Sequence, residues 1–197
     1  MRLTLTRMDI IRGLKRMGQL ARERGIEVEL SLVGGAIQAL VYKSRPTTKD
    51  VDCIFIKPRE ARVVRELAAI VAAEEDWEDN WLNDGPIGFV MLRDELKSGR
   101  VILKKPGITV RMPKVEQLLA MKLMAWRDPL DIADATLLLK KTVRENTRWG
   151  WFSKRSPIKV WEKVEPYLIP GSGLKAQLAF AELWEKLYGE DKSDDNN

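Results

Sequence analysis

The chain has 197 residues, of which 45% are hydrophobic and 32% charged, with a formal net charge of +5; such a mixture folds and is not a disordered polymer. It contains no histidine and a single cysteine, Cys53, which excludes an internal disulfide, Cys/His zinc sites and every mechanism built on an imidazole base. Carboxylates, lysine, hydroxyls and a hard metal ion remain, and Mg²⁺ with its oxygen ligands is the natural candidate.

Residues 190–197, EDKSDDNN, carry four acids against one lysine, so residues 1–189 hold +8 of net charge. That balance favours an anionic partner such as RNA, DNA or a nucleotide. The tail itself reads as a disordered acidic end. No apolar run reaches the roughly 18 residues of a membrane span, and MRLTLTRMDI lacks the apolar core of a signal peptide, so no membrane association and a cytoplasmic location are expected.

In chain order, Met8, Ile11, Leu14, Met17 and Ala21 recur at three- and four-residue steps and predict an amphipathic helix over 7–24, ended by Gly25. IEVELSLV alternates and predicts a strand; Gly34 and Gly35 then turn the chain into a short helix, about 36–42. KSRPTTK is a polar connection, VDCIFI a second strand, and Pro58 opens a helix over about 59–73. EEDWEDNWLNDGP reads as a long loop, followed by IGFVML, RVIL and ITVRM as strands. After Pro113 four helices follow: VEQLLAMKLMAW, LDIADATLLLKK, SPIKVWEKVEPYL and GLKAQLAFAELWEKLYG. The fold class is therefore α+β (α/β), a small mixed sheet flanked by helices, with an α-helical C-terminal part. The organisation expected is a core over 1–112, a helical region over 113–189 and the acidic tail.

The stretch LVGGAIQALVYKSRPTTKDVDCIFI is the most specific in the chain. On a strand, residues two apart share a face, so Asp50 and Asp52 project together while Val51 turns inward. Two convergent carboxylates repel unless a metal, a proton or solvent intervenes. A glycine pair between strand and helix offers backbone N–H groups and close approach to a phosphate. Together they suggest a metal–nucleotide site.

Strand, Gly34-Gly35, short helix and then D-x-D on the next strand resembles the signature of the nucleotidyltransferase (polymerase-β-like) superfamily. The likeness extends to the AbiEii-like and MenT-type nucleotidyltransferase toxins. Arg45, Thr47, Thr48, Asp50 and Asp52 match their R-x-T/S-x-D-x-D element, Lys122, Leu123, Ala125 and Arg127 match K-L-x-A-x-R, and Asp131 and Asp134 match D-x-x-D. The resemblance spans about residues 26–139 and implies the nucleotidyltransferase fold. It also implies a role for each matched residue. Asp50 and Asp52 would hold Mg²⁺; Gly34 and Gly35, with Arg45 and Thr48, would bind the nucleotide; Lys122 would place positive charge on the triphosphate; Asp131, or Asp134, would orient Lys122 or the acceptor hydroxyl. One feature departs from the pattern: no predicted strand after Asp52 carries the third carboxylate common in the superfamily. Asp84, Asp131 and Asp134 are the candidates to replace it, ahead of Asp94 and Glu95.

Ordinary explanations stand beside these. Lys122 also fits a solvated helix lysine, and Asp131 and Asp134 fit acids at a helix N-terminus. Trp77 and Trp81 read as the edge of the core, with a loop over the nucleotide bringing Asn83 or Asp84 to the site as the alternative. Residues 140–163 hold eight lysines and arginines and four aromatics, either an RNA-binding surface or a solvated face over a core. Cys53 reads as packing. The expected function is Mg²⁺-dependent transfer of a nucleoside monophosphate from an NTP to an acceptor hydroxyl, by resemblance a tRNA 3′ end. The expected setting is the toxin of a toxin–antitoxin pair, with an antitoxin protein as partner. The alternative is a non-catalytic nucleotide- or RNA-binding module on a degenerate nucleotidyltransferase fold.

Overall fold

The structure is a computed structural model describing residues 3–90, 93–147 and 156–189. It divides into two compact units, the first holding residues 1–88 and 92–114 and the second 89–91 and 115–197. The tail, and within the basic stretch Arg148, Trp149, Trp151, Phe152, Lys154 and Arg155, lie outside the described residues.

The first unit is built on a five-stranded sheet in the order β5-β4-β2-β7-β6, with β2 (Val28–Leu32), β4 (Val51–Lys57), β5 (Leu82–Asn83), β6 (Arg100–Lys105) and β7 (Ile108–Met112). It is mixed: β2 runs antiparallel to β4 and parallel to β7, while β5 is parallel to β4. A two-stranded ribbon joins β1 (Leu5–Thr6) to β3 (Thr47–Thr48). This is the small mixed sheet with flanking helices that the sequence predicts.

Register sorts the side chains. Leu32 pairs with Cys53 and Leu30 with Val110, so these and Val51 share one face, and all are fully buried. The same pairing puts Ser31, Asp52 and Arg111 on the other face. Helix α1 (Arg7–Glu23) covers the apolar face, its Gly18 close against Ile108. A capping box starts α1: Thr6 Oγ1 accepts from the Asp9 amide, and the Asp9 carboxylate accepts from the Thr6 amide. Helix α3 (Ala61–Glu75) lies beside it, tied by Arg12 to Glu75 and Arg16 to Glu74. Trp77 and Trp81, 5% and 1% exposed, pack edge to face against Gly13, and the Trp81 indole donates to the Ala68 carbonyl at 2.9 Å. They are core, as the first of the two readings has it.

Three segments differ from expectation. The described part of IGFVML is not a strand: residues 85–89 form a 3₁₀ turn, since two glycines and a proline favour a tight turn over an extended ladder, and Met91 and Leu92 lie outside the described residues. RDELKSG, read as a separator, contains the one-turn helix α4 (Arg93–Leu96). The loop after α3 contains β5, two residues long and too short to show any periodicity.

The second unit is helical: α5 (Val115–Ala125), α6 (Pro129–Thr147), α7 (Pro157–Val164) and α8 (Gly173–Tyr188), with α5 touching the other three. Pro129 is the first residue of α6, where its missing N–H costs nothing. Trp161, Phe180, Trp184 and Tyr188 follow one another at ring-centroid distances of 5.2, 5.7 and 4.8 Å. No described helix is long and apolar enough to cross a membrane.

Candidate active site

The first unit sets Asp52 against Gly34 and Thr48 against Gly35, with Asp50 just before β4. Strand β2 ends at Leu32, and the Val33 amide donates to the Asp52 carbonyl at 2.9 Å, so the turn begins directly beside Asp52. Helix α2 (Gly34–Ile37) starts there and continues as a π-helical turn through Tyr42. Gly34 has φ +60°, and a Cβ on it would lie 2.7 Å from Asp52 Oδ2. A Cβ on Gly35 would lie 2.5 Å from Thr48 Oγ1 and 3.8 Å from an Arg45 guanidinium nitrogen. Both glycines are therefore required locally, because an acid and a hydroxyl occupy the space that side chains would fill. The ribbon with β1, where Thr48 pairs with Leu5, holds Thr48 in that place.

Asp50 precedes β4, and Val51 between the two aspartates is fully buried. The Val51 amide donates to the Trp81 carbonyl at 2.6 Å, and Asp52 stands opposite Asn83 in the β4–β5 ladder. The Asn83 side-chain amide reaches Asp50 Oδ2 at 3.5 Å. Burial raises the pKa of Asp50; hydrogen bonding and the nearby Lys49 only partly oppose it, and Glu78 adds to it. Burial also pushes the Cys53 thiol well up, with the charges of Asp52 and Asp84 adding, which leaves it a protonated packing group.

Of the candidates for a third acid, Asp84 and Glu95 are each paired with a cation. Both Asp84 oxygens accept from Arg65 of α3, at 2.8 and 2.7 Å. Glu95 pairs with Lys114 at 3.0 Å, and the Asp94 side chain lies outside the described residues. Among the described residues no three carboxylates or thiols gather as a metal site. The group beside the aspartates is instead an amide, Asn83. Sequence reasoning offered it in the alternative reading, a loop over the nucleotide that brings Asn83 or Asp84 to the site; its two-residue strand carries no pattern that chooses between the two. The donor set still fits Mg²⁺, a hard ion that is commonly held by one or two carboxylates and completes its shell with water and substrate phosphates.

The second unit holds the other group of predicted residues. Lys122 on α5 places its ammonium 2.7 Å from Asp131 Oδ1 and 2.9 Å from Asp134 Oδ2, on successive turns of α6. Arg127 adds a side-chain contact to Asp131 Oδ2 at 3.2 Å, and its backbone amide adds another. Asp128 caps α6 by accepting from the Asp131 amide at 2.9 Å. Asp131 and Asp134 are each 3% exposed. Burial pushes Asp131 up, but Lys122 and Arg127 outweigh it and leave its pKa lowered. The two acids thus act jointly on Lys122, where the sequence offered one or the other.

Residues 10–97 match the model of a family described as "Nucleotidyl transferase of unknown function (DUF2204)". No curated protein and no solved structure matches the chain. The matched segment contains Gly34, Gly35, Arg45, Thr48, Asp50, Asp52 and Asn83, and it ends before Lys122. Over those residues, less than half of the chain, the protein is similar to a nucleotidyltransferase family, and its mixed sheet is consistent with that likeness.

Proposed function

We propose that the protein is an Mg²⁺-dependent nucleotidyltransferase of the AbiEii-like and MenT-type group. In this reading it moves a nucleoside monophosphate from an NTP to an acceptor hydroxyl and releases pyrophosphate. The observation that carries this reading is the seat of Asp52 against Gly34, beside Thr48 and the half-buried Asp50. Asp50 and Asp52 would hold the ion, which when bound neutralises triphosphate charge and activates the attacking hydroxyl. The Asn83 amide donates weakly to Asp50. No side chain caps the turn at Val33, and in this reading the backbone of Gly34 and Gly35 takes the phosphate oxygens. Arg45 and Thr48 lie near Gly35, and in this reading they contact the nucleotide. Lys122 is assigned to the triphosphate by resemblance, with Asp131 and Asp134 setting its position. The acceptor, a tRNA 3′ end, and the biological setting, a toxin held by an antitoxin, rest on that resemblance and on the basic charge of residues 1–189.

A second reading, a non-catalytic binding module, is favoured by the amide at Asn83 beside the two aspartates. One experiment separates them. The protein is incubated with Mg²⁺, each labelled NTP and bulk RNA, beside Asp50→Asn and Asp52→Asn. Label transfer that disappears in both variants supports the enzyme; nucleotide retention without transfer supports the module. Transfer unchanged in both variants would overturn the assignment of the site.

A further inference from the structure

We infer that the outer edge of β6 is a docking site for an extended, acidic segment of a separate protein. Strand β6 is last in the sheet order, and among the described residues no strand pairs with its outer side. Such an edge presents unpaired N–H and C=O groups and can accept an added strand. Beside it lies a groove of about 350 Å³, walled by Arg7 and Ile11 of α1, by Leu40 and Val41, and by residues 100–103 of β6 itself. Val101 is 42% exposed there.

The charge of this edge selects its occupant. Arg7 and Arg100 both line the groove. The first donates to the Leu40 carbonyl at 3.2 Å and the second contacts the Met112 sulfur at 3.3 Å, and neither forms an ion pair among the described residues. Strand β6 reads RVILKK, three cations and no acid. A second copy of this chain pairing antiparallel along the whole of β6 would set Arg100 of each copy opposite Lys105 of the other, so the charge opposes self-association. Edge lysines do guard against aggregation, but a guard does not require an apolar trough with two arginines beside the strand. An incoming strand with apolar side chains toward the trough and carboxylates toward Arg7, Arg100 and the lysines satisfies backbone, apolar wall and charge together.

The test uses the full chain and an end-capped, fluorescent peptide of alternating valine and glutamate, with a valine–lysine peptide as control. Polarisation is expected to show saturable binding of the acidic peptide only, weakened about tenfold or more in the Arg7→Glu/Arg100→Glu double variant. Hydrogen exchange of the wild-type protein is expected to slow within 100–105 when that peptide is present. Absence of binding, equal binding of the lysine peptide, equal binding by the double variant, or protection confined to other segments would each overturn the proposal.

Discussion

Asp50 and Asp131 are both carboxylates drawn out of water, and their surroundings treat them in opposite ways. Asp131 is surrounded by cations: Lys122 and Arg127 hold its pKa down, and Lys122 also holds Asp134. Asp50 accepts a weak hydrogen bond from the Asn83 amide, forms no ion pair among the described residues, and has a raised pKa. An acid compensated within the protein contributes to the fold. Asp50, left with an amide, is the acid to which the proposed function brings a cation from outside. In the proposed function Asp131 serves through Lys122 and Asp50 through the ion itself, and this contrast can be broken by experiment.

The largest expected effect is on transfer. Asp50→Asn and Asp52→Asn should each lower label transfer by about a thousandfold, on the order of 4 kcal/mol in the barrier, while leaving the melting temperature near that of the wild type. Rates are measured at saturating Mg²⁺ and NTP. A comparable loss of stability would place these acids in the structural class and erase the contrast.

Next comes Lys122→Ala. It leaves two buried carboxylates facing each other without their ammonium, which should cost ~3–5 kcal/mol of stability in a denaturant titration. Adding Asp131→Asn and Asp134→Asn should recover much of it, because the uncompensated charges are then gone. Failure of this rescue would mean that Lys122 contributes through its packing and not through the pair.

Gly34→Ala should cost ~1–3 kcal/mol, since φ is +60° and the new methyl group meets the Asp52 carboxylate. It should also weaken nucleotide binding, as calorimetry would show. Equal nucleotide affinity would remove Gly34 from the site and leave it a turn residue only.

Smaller effects follow from protonation. Asp131 has a folded pKa below its unfolded value, so its contribution is full above the unfolded pKa and is lost as pH falls through the folded one. Asp50 is raised: folding favours its protonated form, so stability tied to it is present at low pH and lost as pH rises through its folded pKa. Acid titrations of Asp131→Asn should therefore lose part of the wild-type destabilisation below about pH 4. Asp50→Asn should flatten the opposite slope above it. Metal affinity, in competition with the Asp50 proton, should rise with pH over the range where that carboxyl titrates.

How much of this the sequence disclosed follows the same physical division. Helix α1 was legible because five apolar residues repeat at its period and Gly25 ends it. Strands β2, β4 and β7 were legible from alternation and β-branched residues. Strand β5 was not, because two residues have no period, and with it went the position of Asn83 beside the aspartate pair. IGFVML misled because its apolar residues look like a strand while Gly85, Pro86 and Gly88 bend the backbone. The aspartate pair stood out because acids beside an apolar run demand an explanation. The joint hold of Asp131 and Asp134 on Lys122 needed coordinates, since only the angle between α5 and α6 decides whether one acid or both reach the amine.

The central claim is that Asp50 and Asp52 complete their surroundings with a metal-bound triphosphate. Calorimetric titration of a non-hydrolysable NTP analogue, with and without Mg²⁺, into the wild type and the Asp50→Asn/Asp52→Asn double variant tests it most directly. The account predicts binding that requires Mg²⁺ in the wild type and is lost in a variant that melts at or above the wild-type temperature. Equal, Mg²⁺-independent binding by both proteins would contradict it.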